Sequence, residues 1–401
     1  EVVQQSHRFP FGDTLWNLDA MYRADEGETD RARYWKKRFS EVFNSATALL
    51  YWTERPRTDA SKVEDWQGHV RLDHVAALVD WARSEGLSVK GHPLFWTVPK
   101  AVPDWLEDYD YETQKKFVEV HIRRLVARFR GKMSTYDVIN EPLWEPSLRH
   151  LPQRDWPHIE PIEEIVKYVA PALRWAREED PEAQLLINDY GLAQSPRDGP
   201  PTTDDGTEIT PGMQRKRYLQ LARALMKEGA PPDALGLQCH IGGFHDPADQ
   251  RSFYDEMAAA GVPLHITEFG AYPEHLEEDR PQEEIDQLYA DYVEDYLTVA
   301  FAHPAVEAFF FWGFMGDAIA WDGERSGHEL RPLYRRVKRL IHEEWHTQER
   351  LRTDSDGRVQ FRGFYGDYAL RYSLGRQATD GVSFTVDRQQ SMPLRVEAPF
   401  G

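Results

Sequence analysis

Two places in the chain put a carboxylate where an apolar, β-prone run stops. One is Asn140-Glu141 in STYDVINEPLW (134–144), the other Glu268 in LHITEFG (264–270). Strand ends that need polarity usually draw on Gly, Ser or Asp as turn formers, so an amide and a glutamate followed by proline ask for another explanation. Two carboxylates converging on one cleft divide acid–base work: one delivers a proton to a leaving oxygen, the other attacks or activates water, which is the chemistry of glycoside hydrolysis. Burial near a second carboxyl raises one pKa, and hydrogen-bond donors keep the other low. An amide beside the acid suits a sugar hydroxyl that is held more tightly in the transition state.

Other polar or aromatic residues close apolar runs in the same way: His92, Asn188-Asp189, Gln238 with His240, and Trp312. The runs lie at 9–12, 43–50, 88–95, 135–139, 185–188, 234–239, 263–267 and 308–312. Amphipathic stretches of helical period fall between them, at 70–84, 111–129, 162–179, 214–227 and 283–302. Eight strands alternating with helices predict an α/β fold, a closed (β/α)8 TIM barrel, whose C-terminal strand ends meet at one mouth. A doubly wound sheet is the alternative, but no glycine-rich phosphate loop follows an early strand. The Pro/Gly/Asp-rich segment 195–212 is expected to be a long loop on the active rim. After Trp345 the pattern changes to apolar/polar alternation broken by Asp-Gly and Gly-Asp turns. We therefore expect a catalytic barrel over 1–348 and a small all-β C-terminal appendage over 349–401.

Bulk composition narrows the partners. Of 401 residues, 68 are acidic and 48 basic, for a net charge of −20. A nucleic-acid partner needs a basic footprint and is not expected. Thirteen tryptophans suit sugar-stacking clefts as well as core anchoring. Cys239, the single cysteine, allows no internal disulfide, and no cysteine cluster suggests zinc. No apolar run approaches a membrane span; the best decoy, 305–321, contains Glu307 and Asp317. Expectations are thus a polysaccharide or oligosaccharide substrate, no metal, no cofactor, no membrane partner and a monomer. The sequence starts at Glu1 instead of Met, which leads us to expect a removed export signal and a secreted or periplasmic location.

The motifs GHPLFW (91–96), YDVINEP (136–142), LLINDYG (185–191), GLQCHI (236–241), LHITEFG (264–270) and FWGFMGDAIAW (311–321) fall one per strand. In that order they resemble glycoside hydrolase family 10, the xylanase-type barrels of clan A, over residues 9 to 345. The tail VQFRGFYGDYAL is similar to the β tail of plant and bacterial relatives. The resemblance implies Glu141 as general acid/base and Glu268 as nucleophile of a retaining reaction. It implies Asn140 on the 2-hydroxyl of the cleaved sugar, His240 on the nucleophile with Gln238 beside it, and His92 and Trp96 in the glycone pocket. Trp312 and Trp321 would floor and wall the sugar at the cleavage site, with Asn188 and Asp189 behind these groups or serving as a strand-ending turn.

The chain departs from the family pattern at the second strand. In place of Pro-Glu-Asn-x-Met-Lys-Trp it reads SATALLYW (45–52); aligning Trp52 puts Ala48 at the family's Asn and Tyr51 at its Lys. Thr97 stands where the family has His after the tryptophan of GHPLFW. The expected function is a retaining, xylanase-like β-glycoside hydrolase with altered grip on the glycone, and hence another or decorated β-glycan as its better substrate. Two rival classes remain. A metal-dependent hydrolase would draw on His92, His240 and His265, which lack a ligand-type spacing. A glycan-binding barrel without activity would have no use for both glutamates.

Overall fold

The third barrel strand, Ser88–His92, shows what makes the sheet close: its residues from Val89 to His92 are all buried. Ser45–Leu49 and Thr135–Asn140 are buried along their whole length. Strands covered on both faces, by helices outside and side chains within, belong in a parallel sheet. The computed structural model describes residues 1–23, 29–52, 63–64, 66–98, 101–144, 159–195, 199–203, 205–242, 246–272, 280–321, 328–374, 377–378 and 381–388.

Eight parallel strands form the barrel: Phe11–Thr14, Ser45–Leu49, Ser88–His92, Thr135–Asn140, Gln184–Asp189, Ala234–Leu237, Leu264–Tyr272 and Val306–Phe311. The last pairs with the first, Phe309 opposite Phe11, and closes the ring. Each expected run holds one strand. Helices cross back between them, chiefly Asp73–Ser84, Tyr111–Phe129, Ile162–Glu179, Pro211–Lys227 and Gln282–Ala302. Side-chain caps set several starts: Asp110 accepts from Thr113 N at 2.9 Å, and Thr210 does the same for Met213 ahead of a proline in the first turn. Four further helices, Trp16–Arg23, Asp30–Ser40, Pro247–Met257 and Pro332–Arg339, complete the outer ring.

A separate antiparallel sheet draws on both ends of the chain. Val2–His7 lies between Gln348–Glu349 and Gly366–Leu370, and Val382–Val386 adds the outer strand. Tyr368, fully buried, anchors it, bonding Phe364 O at 2.6 Å. Phe301, Phe364 and Trp345 pack with His7 and Phe11 where this sheet meets the barrel. In the expected loop 195–212, Thr202 and Glu208 form an isolated bridge; residues 196–198 and 204 lie outside the described residues. No helix among the described residues is long and apolar enough to cross a membrane.

Candidate active site

The fourth strand ends by forcing Glu141 into a left-handed backbone, φ +56°. A non-glycine residue pays for that conformation, so it persists only where its surroundings fix it. Here Glu141 N donates to Asn188 O at 2.7 Å. Two residues on, Leu143 N donates to Asp189 Oδ2 at 3.0 Å. Cys239 shows the same φ, +56°, between Gln238 and His240. That turn interrupts the sixth strand, which resumes as His240–Gly242 beside Gly270–Tyr272.

These two turns bring the expected residues together. Glu141 accepts from Trp96 Nε1 at 2.8 Å and from Gln238 Nε2 at 2.9 Å, one donor per oxygen. Glu268 accepts from Asn188 Nδ2 at 2.6 Å and lies 3.2 Å from His240 Nε2. His92 Nε2 stands 3.7 Å from Glu268 Oε1. Asn140 Oδ1 links the two halves, receiving Asn188 Nδ2 at 2.8 Å and Gln238 Nε2 at 3.4 Å. Its own amide nitrogen is spent on neither carboxylate, which leaves donors for a ligand. Asn188 is fully committed: its oxygen takes Thr267 Oγ1 at 2.6 Å.

The electrostatics of the two glutamates differ. Burial works to raise Glu268, but His92, the hydrogen bond from His240 and Lys90 together hold its carboxyl below the ordinary range. Beneath it, Asp137 Oδ2 binds Lys90 Nζ at 2.7 Å and His92 Nδ1 at 2.8 Å, all three buried. Full burial opposes ionisation of Asp137, yet Lys90 and His92 bring it down to about 2. On the other side, Asp189 is pushed well above its ordinary value by burial and then by the charge of Glu141. Lys90 and two imidazoles attend Glu268; a second carboxyl attends Glu141.

Apolar surface frames this polar floor. Trp312 packs on His92 at 5.1 Å and on Trp16 at 5.9 Å between ring centres. Tyr51 meets Trp96 at 5.7 Å and Trp16 at 6.2 Å. Leu49 and Tyr51 form a cluster with Trp16, Trp96 and Trp312, apart from the main core. Asp13, at the end of the first strand, fixes the chain after Trp312 by accepting from Gly313, Phe314 and Met315 N, each at 3.0 Å. Trp321 ends the short strand Ile319–Trp321, opposite His328; its side chain lies outside the described residues.

Ala48 belongs to the main core, and the residue that reaches the mouth from the second strand is Leu49. Neighbouring strand residues serve opposite faces, so Leu49 and Tyr51 share one side and Ala48 and Leu50 the other. Asn188 is fully buried and bonds Glu268 at 2.6 Å. Lys90 and Asp137 went unnoticed, although a lysine two residues before His92 in a barrel strand is itself a signal, since buried lysines require a partner. Thr97 is buried with its hydroxyl unpartnered. Of the histidines, His265 is fully buried and feels the charges of Lys90 and Asp137, and no three His, Cys, Asp or Glu among the described residues are grouped to hold a metal.

The family description "Glycosyl hydrolase family 10" matches residues 52–336. Among curated proteins, the chain is similar to anti-sigma-I factor RsgI6 of Acetivibrio thermocellus, 26% identical over 97% of this chain and 44% of that protein. It is likewise similar to endo-1,4-beta-xylanase 2 of Arabidopsis thaliana, 25% identical over 98% of this chain and 32% of that protein. The chain therefore spans less than half the length of either relative. Among solved structures, xylanase 10B from Thermotoga petrophila RKU-1 in complex with xylobiose superposes with a TM-score of 0.62. The identity is 20%, over 84% of this chain and 95% of that one; at that identity the likeness shows the fold.

Proposed function

Because the chain belongs to glycosyl hydrolase family 10, we propose that it is a retaining β-glycoside hydrolase working through a glycosyl-enzyme intermediate. The observation that carries this is the opposite surroundings of Glu141 and Glu268 within one hydrogen-bonded network. Glu268, kept ionised by His92, His240 and Lys90, attacks the anomeric carbon. Glu141, steered by Trp96 and Gln238, protonates the departing glycosidic oxygen, and the bond to the leaving group breaks. Glu141 then takes a proton from water, which attacks the same carbon and releases Glu268. Asn140 holds the 2-hydroxyl of the sugar at the cleavage site, where hydrogen bonds strengthen in the transition state.

The substrate proposal follows the second strand. Leu49 and Tyr51 give the mouth an apolar wall, and Ala48 and Tyr51 stand where the family pattern has hydrogen-bonding Asn and Lys. Each lost polar contact to a sugar hydroxyl weakens binding by about 1 kcal/mol, and more if charged. Relatives named endo-1,4-beta-xylanase support a β-1,4-linked backbone; the apolar wall favours a decorated or different β-glycan over plain xylan. Steady-state kinetics on xylan, substituted xylans, β-glucans and galactans test it. The expected kcat/KM on unsubstituted xylan is at least about tenfold below the best of the panel; a maximum on plain xylan refutes the substrate proposal.

A glycan-binding role without turnover is the second reading, favoured by the similarity to a protein named as an anti-sigma-I factor. A barrel that only binds needs neither an ionised nucleophile nor an acid opposite it. Release of reducing ends from any glycan of the panel decides for the enzyme.

A further inference from the structure

The most exposed large apolar side chain among the described residues is Trp66, 62% exposed. It is held in place. Its ring stacks on His69 with centres 3.9 Å apart and planes 3° from parallel. His69 N donates to Trp66 O at 2.8 Å, and Gly68 makes the turn with φ +86°, a conformation that favours glycine. The buried Glu64 ties the turn down, accepting from Gly68 N at 2.6 Å and from Trp52 Nε1 at 2.7 Å. Beside it, Gln67 Nε2 donates to the hydroxyl of Tyr109, which is 37% exposed.

The location matters as much as the build. Trp66 lies on the connection from the second barrel strand to helix Asp73–Ser84. Tyr109 lies on the connection from the third strand to helix Tyr111–Phe129. Both connections leave C-terminal strand ends, so they rise on the face that carries Glu141 and Glu268. The link to the mouth is direct: Val63 N donates to Tyr51 O at 3.0 Å and Glu64 N to Trp52 O at 3.1 Å, and Tyr51 is part of the wall of the mouth. An indole immobilised on one face and open on the other binds a flat apolar surface with little further loss of side-chain freedom. The axial C–H face of a pyranose ring is such a surface, and an amide and a phenol alongside supply hydrogen bonds to its hydroxyls. With a net charge of −20, a neutral sugar chain is preferred to an acidic one.

We propose that Trp66, Gln67 and Tyr109 form an accessory carbohydrate platform that holds a neutral polysaccharide chain beyond the sugar being cleaved. The proposal rests on the glycoside hydrolase reading for its choice of ligand. Its test is therefore built to separate the two. Native affinity electrophoresis through linear xylan, arabinoxylan and mixed-linkage β-glucan, all neutral, reads binding without needing turnover. Alongside it, kcat/KM is measured on the best polymer and on a short aryl β-glycoside. For Trp66→Ala, retardation by at least one polysaccharide should weaken about two- to tenfold, the scale of one aromatic stacking contact. The loss of kcat/KM on polymer should exceed that on the short glycoside by at least about threefold and appear in KM; Trp66→Tyr should recover part of it. Absence of retardation in the wild-type protein, equal retardation of wild type and Trp66→Ala, or equal losses on polymer and short substrate would each overturn the platform. Absence of turnover on every glycan, with Trp66-dependent retardation intact, would overturn the hydrolase reading and leave the platform standing.

Discussion

Asn188 donates to Glu268 across 2.6 Å, and the same amide nitrogen reaches Asn140 at 2.8 Å. One buried side chain therefore orients the carboxylate proposed as nucleophile and the amide proposed to hold the substrate's 2-hydroxyl. Replacing it disturbs both ends of the reaction at once. Asn188→Ala should lower kcat/KM by about tenfold to a hundredfold, the range for one hydrogen bond to a charged group.

Asn188→Asp keeps the shape and adds a like charge beside Glu268, which disfavours ionisation of the nucleophile. The acidic limb of its kcat/KM profile should move to higher pH, a change that a purely structural lesion does not make. A profile scaled down without shifting would argue that Asn188 serves packing alone.

Lys90 offers a second lever on the same carboxylate. Its ammonium bonds Asp137 at 2.7 Å inside the barrel and helps to hold Glu268 down. Lys90→Met leaves Asp137 buried beside His92 alone. Breaking a buried pair on one side costs about 3–5 kcal/mol, to be read as a lower urea midpoint. Loss of the cation should also raise the acidic limb of the pH–rate profile, and Lys90→Arg should restore part of both. An unaltered limb would remove Lys90 from the electrostatics of the site.

Two buried histidines should cost the fold stability in acid, against an opposite contribution from the buried carboxyls of Asp13 and Asp189, whose raised pKa favours the protonated folded state. Burial lowers His121 from its ordinary 6.5 to about 3, and His265 to about 4. Between pH 6.5 and those values the unfolded chain binds protons that the folded chain refuses, so stability falls as pH drops. Each imidazole contributes a loss on the order of 3–5 kcal/mol across its whole window. Asp137, at about 2 against an ordinary 3.8, adds a further loss only as pH falls below 3.8. Urea unfolding between pH 7.5 and 4, compared for wild type and His121→Phe, isolates the histidine part: wild type should lose more stability than the variant. An equal change in both would mean that His121 accepts its proton in the folded state.

The eight strands were legible because parallel strands buried on both faces leave apolar runs that no surface helix imitates. Glu141, Glu268 and their neighbours were legible because polar residues stop those runs. Asp30–Ser40 was not legible: DRARYWKKRFS carries too many charges to show a clear apolar stripe, and its helix rests on Thr29 as cap and on burial of Trp35 and Phe39. Lys90 and Asp137 meet across neighbouring strands, a relation that spacing along the chain does not contain. Leu49 went unnamed because SATALLYW offers adjacent apolar residues and does not say which of them faces the mouth. Val2–His7 joins Gly366–Leu370 from the far end of the chain, a pairing that local pattern does not disclose.

The central claim, that Glu268 attacks the sugar and Glu141 assists, is tested most directly by the anomeric configuration of the first product. Proton NMR during hydrolysis of a β-linked oligosaccharide from the best substrate class should show the β-anomer appearing first, with the α-anomer arising later by mutarotation. First appearance of the α-anomer would mean single displacement by water, and would contradict the assignment of Glu268 as nucleophile.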